Sequence, residues 1–339
     1  MKTILVVGGA GYIGSHTVID LIENGYDAVI VDDFSNSSEE VINRLNKLTN
    51  TKIKYYNIDA KDYLKLKTVF YENDINAVIN FAGYKSVKES VDKPEEYYEN
   101  NIGIVFNLIK VMKEYNIKKF IFSSSATVYS QENKIPFIED GNLLPINPYG
   151  RSKLYIEMML KDICYSDKEW SIVSLRYFNP LGAHKSGEIG EEPNGIPNNL
   201  APYITQVAIG KLPILHVFGN DYKTKDGTCI RDYIHISDLA RGHRNSLEYV
   251  FSNNKGYEYI NLGSGKGYSV FEVINAFENV IGEKITYDIV GRREGDMPEN
   301  YANINKAKKL LNWEPIFDIV DMCKSAWKWQ VKNPNGFTK

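Results

Sequence analysis

Thr3-Ile4-Leu5-Val6-Val7-Gly8-Gly9-Ala10-Gly11-Tyr12-Ile13-Gly14 is the stretch from which the fold is read. A short β-branched apolar run gives way to glycines at fixed offsets and then to an apolar-periodic stretch, so the pattern is strand, tight turn, helix. Two spacings overlap: Gly9, Gly11 and Gly14 fit G-x-G-x-x-G, whereas Gly8, Gly11 and Gly14 fit G-x-x-G-x-x-G. Either lets the backbone approach a pyrophosphate closely, and the helix behind it offers free N–H groups and the positive end of its dipole. Glycine turns also serve purely structural bends, so Asp32 carries weight. It ends the next apolar run, Ala28-Val29-Ile30-Val31, where an acidic side chain holds both hydroxyls of an adenosine ribose. Asp33 follows, and no Arg lies in the next ten residues. A 2′-phosphate would meet two carboxylates and no cation, so the expected cofactor is NAD(H) rather than NADP(H).

Outward from that turn, short apolar runs recur at 3–7, 28–31, 53–58, 77–81, 120–122 and 172–175. Helix-period stretches at 17–23, 40–48, 64–71, 97–115 and 149–163 separate them. Such alternation implies right-handed βαβ units, hence the α/β class: a doubly wound, mainly parallel, Rossmann-like sheet covered on both faces. After about residue 179 the texture changes. Pro180, Gly182, Gly187, Gly190, Pro193, Gly195, Pro197 and Pro202 break the chain into loops and short elements. The expected organisation is an NAD-binding domain over 1–179 and a smaller α/β substrate-binding domain over 180–339. The smaller domain is expected over the carboxyl ends of the strands, where open α/β sheets bind ligands. Tyr259-Ile260-Asn261-Leu262 reads as a strand returning to the first domain.

The 339 residues carry a net charge of −3, with 43% hydrophobic and 24% charged residues, an ordinary globular composition. That balance gives no reason to expect nucleic-acid or membrane binding. Any anionic ligand must then be met by local Arg, Lys or helix termini. Cys164, Cys229 and Cys323 are odd in number and far apart, which argues against a disulfide framework and a structural zinc site. His16, His184, His216, His235 and His243 show no paired metal spacing, so no metal is expected. The first strand begins at residue 3 and no run approaches membrane-spanning length; the expected location is cytoplasmic.

Chemistry enters at Pro148-Tyr149-Gly150-Arg151-Ser152-Lys153, with Pro148 suited to a helix first turn. Residues i and i+4 share a face, which sets the Tyr149 phenol beside the Lys153 ammonium. A nearby cation stabilises phenolate, and a positively charged nicotinamide does so further. Both effects move the tyrosine from about 10 toward neutrality and make it a general base for a sugar or alcohol hydroxyl. With 24 tyrosines in the chain, such pairs also arise by chance; the dinucleotide-binding pattern and a serine-rich strand end single this one out. That end, Phe120-Ile121-Phe122-Ser123-Ser124-Ser125-Ala126-Thr127-Val128-Tyr129, points three hydroxyls into the ligand crevice. Ser125 is expected to hydrogen-bond the reacting oxygen beside Tyr149, while serines of this kind also cap the following turn.

The glycine loop, Phe81-Ala82-Gly83-Tyr84-Lys85, the serine-rich strand end and the Tyr149/Lys153 pair resemble the extended short-chain dehydrogenases/reductases. Longer segments narrow the resemblance to the UDP-glucose 4-epimerase (UDP-galactose 4-epimerase) family. They are Arg176-Tyr177-Phe178-Asn179-Pro180-Leu181-Gly182-Ala183-His184, Gly195-Ile196-Pro197-Asn198-Asn199-Leu200, Asp232-Tyr233-Ile234-His235 and Arg292-Arg293-Glu294-Gly295-Asp296. The resemblance covers essentially the whole chain. It implies an isomerase that interconverts UDP-galactose and UDP-glucose through a 4-keto sugar with tightly bound NAD. It also implies a homodimer formed through the helical stretches 97–115 and 149–163.

On the cofactor side, the resemblance lays the dinucleotide over Gly8, Gly11, Tyr12, Ile13 and Gly14. Asp32 and the Asp33-Phe34-Ser35-Asn36-Ser37 turn would lie at the adenosine ribose, and Asp59 and Ala60 beside the adenine. Phe81, Ala82, Gly83, Tyr84, Lys85 and Asn100 would line the path to the nicotinamide ribose. Ser125, Tyr149, Lys153 and Phe178 would surround the nicotinamide and the sugar. On the substrate side, Asn179, Asn199 and Leu200 resemble diphosphate and sugar contacts, and Phe218, Arg231, Tyr233, Arg292 and Asp296 a uridine diphosphate clamp. The arginines make physical sense, because a diphosphate calls for fork-shaped cationic donors.

Two other readings stay open on the residues alone. Sugar-nucleotide 4,6-dehydratases of the same fold resemble Thr-Asp-Glu-Val-Tyr-Gly where this chain has Ser125-Ala126-Thr127-Val128-Tyr129-Ser130, so their elimination acid and base are replaced here. A non-catalytic NAD-binding sensor need not keep Tyr149 or Lys153, and both are present. Sugar specificity turns on the residue two places after the proline of Gly295-Asp296-Met297-Pro298, which is Asn300. The resemblance sets it beside the sugar, where a tyrosine in some relatives fills the space of a 2-acetamido group. Asparagine is smaller, so UDP-N-acetylglucosamine and its galacto epimer are expected substrates as well, unless Tyr301 swings into that space.

Overall fold

Each apolar run of the first half becomes a strand of one sheet. In the computed structural model, which describes residues 1–252, 255–293 and 295–337, these strands are β1 (Thr3–Val7), β2 (Asp27–Asp32), β3 (Lys54–Asn57), β4 (Ile75–Asn80), β5 (Lys119–Ser125) and β6 (Ser171–Tyr177). The later strands are β7 (Asn179–Leu181), β8 (Leu215–Phe218), β9 (Ile230–His235), β10 (Gly256–Leu262), β11 (Gly267–Ser269), β12 (Tyr287–Val290) and β13 (Glu299–Asn300). The large sheet runs β10-β6-β5-β4-β1-β2-β3, and its pairings are parallel. The edge strand β10 contains Tyr259-Ile260-Asn261-Leu262 and lies in register beside β6. Strand order reverses between β1 and β4, and the crevice at their carboxyl ends is where sheets of this kind take ligands.

Helices cover both faces: α1 (Tyr12–Glu23), α2 (Glu39–Thr49), α3 (Tyr63–Tyr71), α4 (Val87–Asp92), α5 (Pro94–Glu114) and α6 (Pro148–Ser166) in the first half. They are followed by α7 (Leu200–Ala208), α8 (Ile236–Phe251), α9 (Val270–Ile281), α10 (Asn305–Leu311) and α11 (Ile319–Lys332). Strand alternation divides the core. Ile4, Val6, Ile30 and Ile79 pack with Val18 and Leu21 of α1 and Leu247 of α8. Leu5, Val7, Val29 and Phe122 pack with Leu66 of α3, Leu108 of α5 and Leu160 of α6. Because successive strand residues point to opposite faces, a run that is apolar throughout requires cover on both. Full burial of each such side chain contributes about 1.5–3 kcal/mol.

Past β6, a smaller sheet forms around β9. β11 pairs antiparallel with it, while β7 and β13 pair parallel with it, Asn179 opposite Tyr233 and Asn300 opposite Arg231. A separate ribbon joins β8 and β12. Ile204, Val217, Tyr233, Phe277 and Met322 form the core of this region. Among the described residues, no helix is long and apolar enough to cross a membrane.

Three histidines are built into these helices rather than into a metal site, and the described residues hold no cluster that could bind a metal. His16 Nδ1 donates to the Tyr12 carbonyl at 2.7 Å, and its Nε2 has no partner among the described residues. His243 Nδ1 donates to the Leu239 carbonyl at 2.8 Å, which leaves Nε2 to accept from the Tyr177 hydroxyl. His235 Nδ1 accepts from Ser237 N at 3.0 Å, so Nε2 carries the proton toward Ser325 Oγ. Burial pulls His16 and His243 down to about 3 and His235 to about 4. Each is therefore neutral in the fold, while the unfolded chain takes up protons below about pH 6.5. The stability tied to these neutral imidazoles is complete above pH 6.5 and is lost progressively as pH falls toward 3–4. The expected outcome is that His243→Gln loses melting temperature less steeply than the wild type between pH 7 and pH 5. Parallel curves from calorimetry would show that this imidazole does not carry the pH dependence.

Candidate active site

The turn between β1 and α1 assigns its glycines different tasks. Gly8 has φ +77°, and a Cβ there would lie 2.7 Å from Ala82 N. A Cβ on Gly14 would lie 2.2 Å from the Gly8 carbonyl oxygen, so α1 can sit this close to the strand end only without one. A Cβ on Gly9 would press on Ile30 at 2.9 Å. Gly11 differs: the nearest atom to its Cβ position is Gly8 O at 3.4 Å. It is the N-cap of α1, and no side chain among the described residues caps that helix. An uncapped N-terminus with room above it, beginning at Tyr12 and Ile13, suits a pyrophosphate. The Tyr12 hydroxyl is tied across the cleft to the Gly182 carbonyl at 2.6 Å.

Asp32 is nearly buried at the end of β2 and accepts from Ala10 N at 2.9 Å, Phe34 N at 3.0 Å and Ser37 Oγ at 2.8 Å. Burial raises its carboxyl and these three donors pull the other way. Oδ1 takes two of these donors and Oδ2 only Ala10 N, so the carboxylate keeps acceptor capacity for the ribose. Phe34 holds a left-handed φ of 54°, which wraps the turn so that Asp33 accepts from Ser35 N and Oγ at 2.9 and 2.6 Å. Asn36 Oδ1 accepts from Asn194 Nδ2 at 2.8 Å, reaching from the opposite wall. Asp59 accepts from Lys61 N at 2.8 Å, and Ala60 is buried. With two carboxylates and no cation in the 32–38 segment, and with the open face at Gly11, the residues fit NAD.

The 81–85 segment leaves the end of β4. Phe81 lies against His243, ring centres 4.7 Å apart, and Lys85 Nζ is 3.7 Å from Glu191 Oε1. Asn101, which the sequence did not single out, clamps Tyr84 by accepting from its N at 2.7 Å and donating to its O at 3.1 Å. Asn101 also donates to Ser152 Oγ at 3.0 Å, and its neighbour Asn100 donates to it at 3.3 Å. Gly83 has φ +150° beside the Asn101 amide.

Tyr149, Lys153 and Ser125 are brought together by α6. Asn147 caps the helix by accepting from Gly150 N at 2.8 Å, and Pro148 occupies the first turn. The Tyr149 phenol faces Ser125, whose hydroxyl favours the phenolate and whose Oγ accepts from Thr127 Oγ1 at 2.9 Å. Lys153 Nζ donates to the Ser123 carbonyl at 2.8 Å and stands 5.8 Å from the centre of the Tyr149 ring. The expected lowering of the phenol by its lysine is not the larger effect in this packing. Burial raises Tyr149, and the Ser125 hydrogen bond opposes it. Burial also lowers Lys153 to about 8, with the Glu157 carboxylate pulling the other way. Phe178 is buried against Val128 and Phe137 beside the site.

The residues named for substrate divide into two groups. Around β9 lie Asn179, donating to the Asp232 carbonyl at 2.9 Å, buried Tyr233, and Arg231, paired with Asp296 at 3.2 Å and with the Met297 carbonyl at 2.8 Å. Asn300 stands opposite Arg231, and its Oδ1 is buried with no partner among the described residues. The Tyr301 ring lies against the Gly267 position. Asn199 starts α7 ahead of Leu200 without capping it, because its side chain donates to Glu191 Oε1 at 2.7 Å. Phe218 and Arg292 belong to the β8–β12 end. Arg292 is exposed and bonded to Asp221 at 2.8 Å, its guanidinium 4.2 Å from the Tyr222 ring centre, while Arg293 covers Phe218 at 4.3 Å. Arg292 thus rests in an exposed pair with Asp221, of a kind that contributes little. Glu294 lies outside the described residues.

A family profile described as GDP-mannose 4,6 dehydratase matches residues 5–326. The UDP-glucose 4-epimerase of Dictyostelium discoideum is 51% identical over 335 residues, 99% of this chain and 97% of that protein. The UDP-glucose 4-epimerase of Bacillus subtilis strain 168 is 52% identical over 334 residues, 98% of each. Among solved structures, UDP-glucose 4-epimerase from Bifidobacterium longum in complex with NAD+ and UDP superimposes with a TM-score of 0.95 at 49% identity, covering 99% of this chain and 100% of that one.

The division of labour among the glycines is testable. In protein stripped of cofactor, Gly14→Ala is expected to lower the melting temperature by about 5 °C or more. Gly11→Ala is expected to keep it within about 2 °C and yet to lose binding of added NAD. Calorimetry and fluorescence titration read the two effects, and equal destabilisation by both substitutions would contradict the assignment.

Proposed function

The chain belongs to the UDP-glucose 4-epimerase family of extended short-chain dehydrogenases/reductases, and from that premise we propose that it interconverts UDP-galactose and UDP-glucose with NAD retained through the cycle. The observation that carries the reading is the Ser125–Tyr149–Lys153 constellation at the crevice, together with the open, uncapped start of α1. Tyr149 Oη takes the proton of the sugar 4-hydroxyl, with Ser125 sharing the hydrogen bond, and the ring becomes a 4-keto sugar. When bound, NAD supplies the acceptor for the C4 hydride, and its nicotinamide charge favours the Tyr149 phenolate against the effect of burial. Lys153 holds positive charge beside the phenol. Arg231, Asp296, Tyr233, Asn179 and Asn199 hold the uridine diphosphate end. The hexose can then turn about its glycosyl–phosphate linkage, and re-reduction from the other face with return of the proton from Tyr149 inverts C4.

The chain also belongs to the family whose profile is described as GDP-mannose 4,6 dehydratase. Ala126 and Thr127 nevertheless stand where elimination of water across C5–C6 needs an acid and a base, so epimerisation is the supported reaction. The test is incubation of purified protein with UDP-galactose and no added cofactor. UDP-glucose is the expected product; a 4-keto-6-deoxy sugar, no turnover, or a strict need for a second redox substrate would overturn the reading. Tyr149→Phe is expected to keep NAD and to lose at least about 10²-fold in kcat. Near-normal turnover in that variant would place the base elsewhere.

Three finer points belong to the same proposal. Asn300 is smaller than a tyrosine, the Tyr301 ring lies against the Gly267 position, and Asn300 Oδ1 stands beside Arg231 with no partner among the described residues. UDP-N-acetylglucosamine and its galacto epimer are therefore proposed as further substrates. Wild-type kcat/KM for that pair should be measurable, and Asn300→Tyr should lose it selectively; inactive wild type would refute this. Phe106 of α5 and Tyr155 and Met158 of α6 are exposed, and Tyr98 stacks on Tyr155 at 5.9 Å, which supports a homodimer through these helices. Light scattering at micromolar concentration should give about twice the mass of one chain, and a single-chain mass would refute the dimer. The three cysteines are unpaired and buried, which suits a reducing compartment, and the cytoplasm is the proposed location.

A further inference from the structure

Three consecutive serines end β5, and each meets a different residue of one face of α6. Ser125 faces the Tyr149 phenol, the Ser123 carbonyl accepts from Lys153 Nζ at 2.8 Å, and Ser124 Oγ donates to Glu157 Oε1 at 2.5 Å. Tyr149, Lys153 and Glu157 are spaced by four, so they stack along one side of the helix. Two of the three have a task in the reaction described above, and Glu157 has none.

We propose that Glu157 is a positioning residue for the reaction: clamped by Arg176, it locks the end of β5 onto α6 and serves as the countercharge that keeps Lys153 protonated. The inference rests on Tyr149 and Lys153 acting as the acid–base pair. Arg176 grips the carboxylate with two bonds, Nε to Oε1 at 3.0 Å and Nη2 to Oε2 at 2.6 Å. Its Nη1 donates to the Tyr129 hydroxyl at 3.0 Å and to the Glu139 carbonyl at 2.9 Å. Tyr129 in turn donates to Asn261 Oδ1 at 2.6 Å. The clamp therefore joins α6, β5, β6, β10 and the loop after β5. Both side chains are almost wholly buried, 1% and 4% exposed.

Stability alone gives little reason for such a pair, since well-packed apolar residues of the same volume often serve as well or better. The charge has a use next door. The other groups around Lys153 are the Phe122 and Tyr149 rings, Tyr177 of β6, which is bonded to His243 of α8, and, beyond Glu157, Arg176 and Tyr257 of β10. None of these carries negative charge near neutral pH, and the other carboxylate of the network, Glu139, faces Arg176 and Tyr129 and not Lys153. A lysine buried among them sheds its proton unless an anion stands close, and Glu157 is one helical turn away.

Lysine ¹⁵Nζ NMR of the holoenzyme reads the charge of Lys153 directly, its resonance being the one lost in Lys153→Met. Glu157→Gln is expected to lower the Lys153 titration midpoint by about one pH unit or more. The basic limb of kcat for UDP-galactose should move down with it, with KM held within about threefold. Ser124→Ala removes the strand tie and keeps the charge, so it should reduce kcat and leave the midpoint in place. Glu157→Gln strands the Arg176 charge in the interior. If that variant does not fold, the double variant Glu157→Leu/Arg176→Met removes both charges and should lower the midpoint as well. An unchanged midpoint overturns the inference, and so does an equal shift in Ser124→Ala and Glu157→Gln. Failure of the wild type to epimerise would sink the proposed activity, while the NMR midpoint would still decide the role of Glu157.

Discussion

The contact that the rest of the structure serves is the laying of α6 against the last three residues of β5. A helix turns about 100° per residue, so a slip of one position would swing Tyr149 away from Ser125 and Lys153 away from the Ser123 carbonyl together. Several devices hold the register. The Asn147 cap and Pro148 fix where the helix begins. Gly150 allows α6 to approach the turn after β5 so closely that a Cβ there would lie 2.7 Å from the Thr127 carbonyl oxygen. Asn101, holding Ser152 from α5, fixes a second side of the same helical turn. These are local and individually modest interactions, and they agree with one another, which is what lets a site tolerate a buried lysine beside a half-buried phenol.

Electrostatics then has to solve a problem that net charge does not. A chain of net charge −3 must hold a dinucleotide and a nucleoside diphosphate, and its arginines near the small sheet are engaged with Asp296 and Asp221. The starts of α1 and α7 are among the helix starts that lack side-chain caps. At α7 the reason is visible: Asn199, a residue type that ordinarily caps its own helix, is drawn to Glu191 instead. Backbone N–H groups and helix dipoles are the donors such an arrangement leaves for anionic ligands.

Much of the large sheet is legible in the sequence, because a strand buried on both faces reads as a continuous apolar run and each run is followed by a helix-period stretch. The Tyr149–Lys153 pair is legible for the same reason, since a spacing of four has one meaning on a helix. Glu157 carries that same signal one turn further on, and only its lack of an obvious task hid it. What could not be read is the non-local part. Arg176 meets Tyr129 from 47 residues away, and Tyr129 meets Asn261 across 132. β9 gathers Asn179, Arg231, Tyr233 and Asn300 through pairings between short strands that no periodicity announces. Arg292 shows the same limit from the other side: its type suits a phosphate, and its exposed contact with Asp221, 71 residues earlier, is one that no local spacing announces. The balance at Tyr149 was also out of reach, because the size of a desolvation effect depends on packing that only the folded chain displays.

The name of a family profile does not decide between elimination and epimerisation, since both begin with oxidation at C4 on the same scaffold; the residues after Ser125 do. The central claim is that the proton and hydride removed at C4 are returned within one closed site. The most direct measurement follows the label of UDP-[4-²H]galactose converted by purified protein without added cofactor in ordinary water. The account predicts UDP-glucose that keeps deuterium at C4. Product carrying solvent hydrogen at C4 would contradict it.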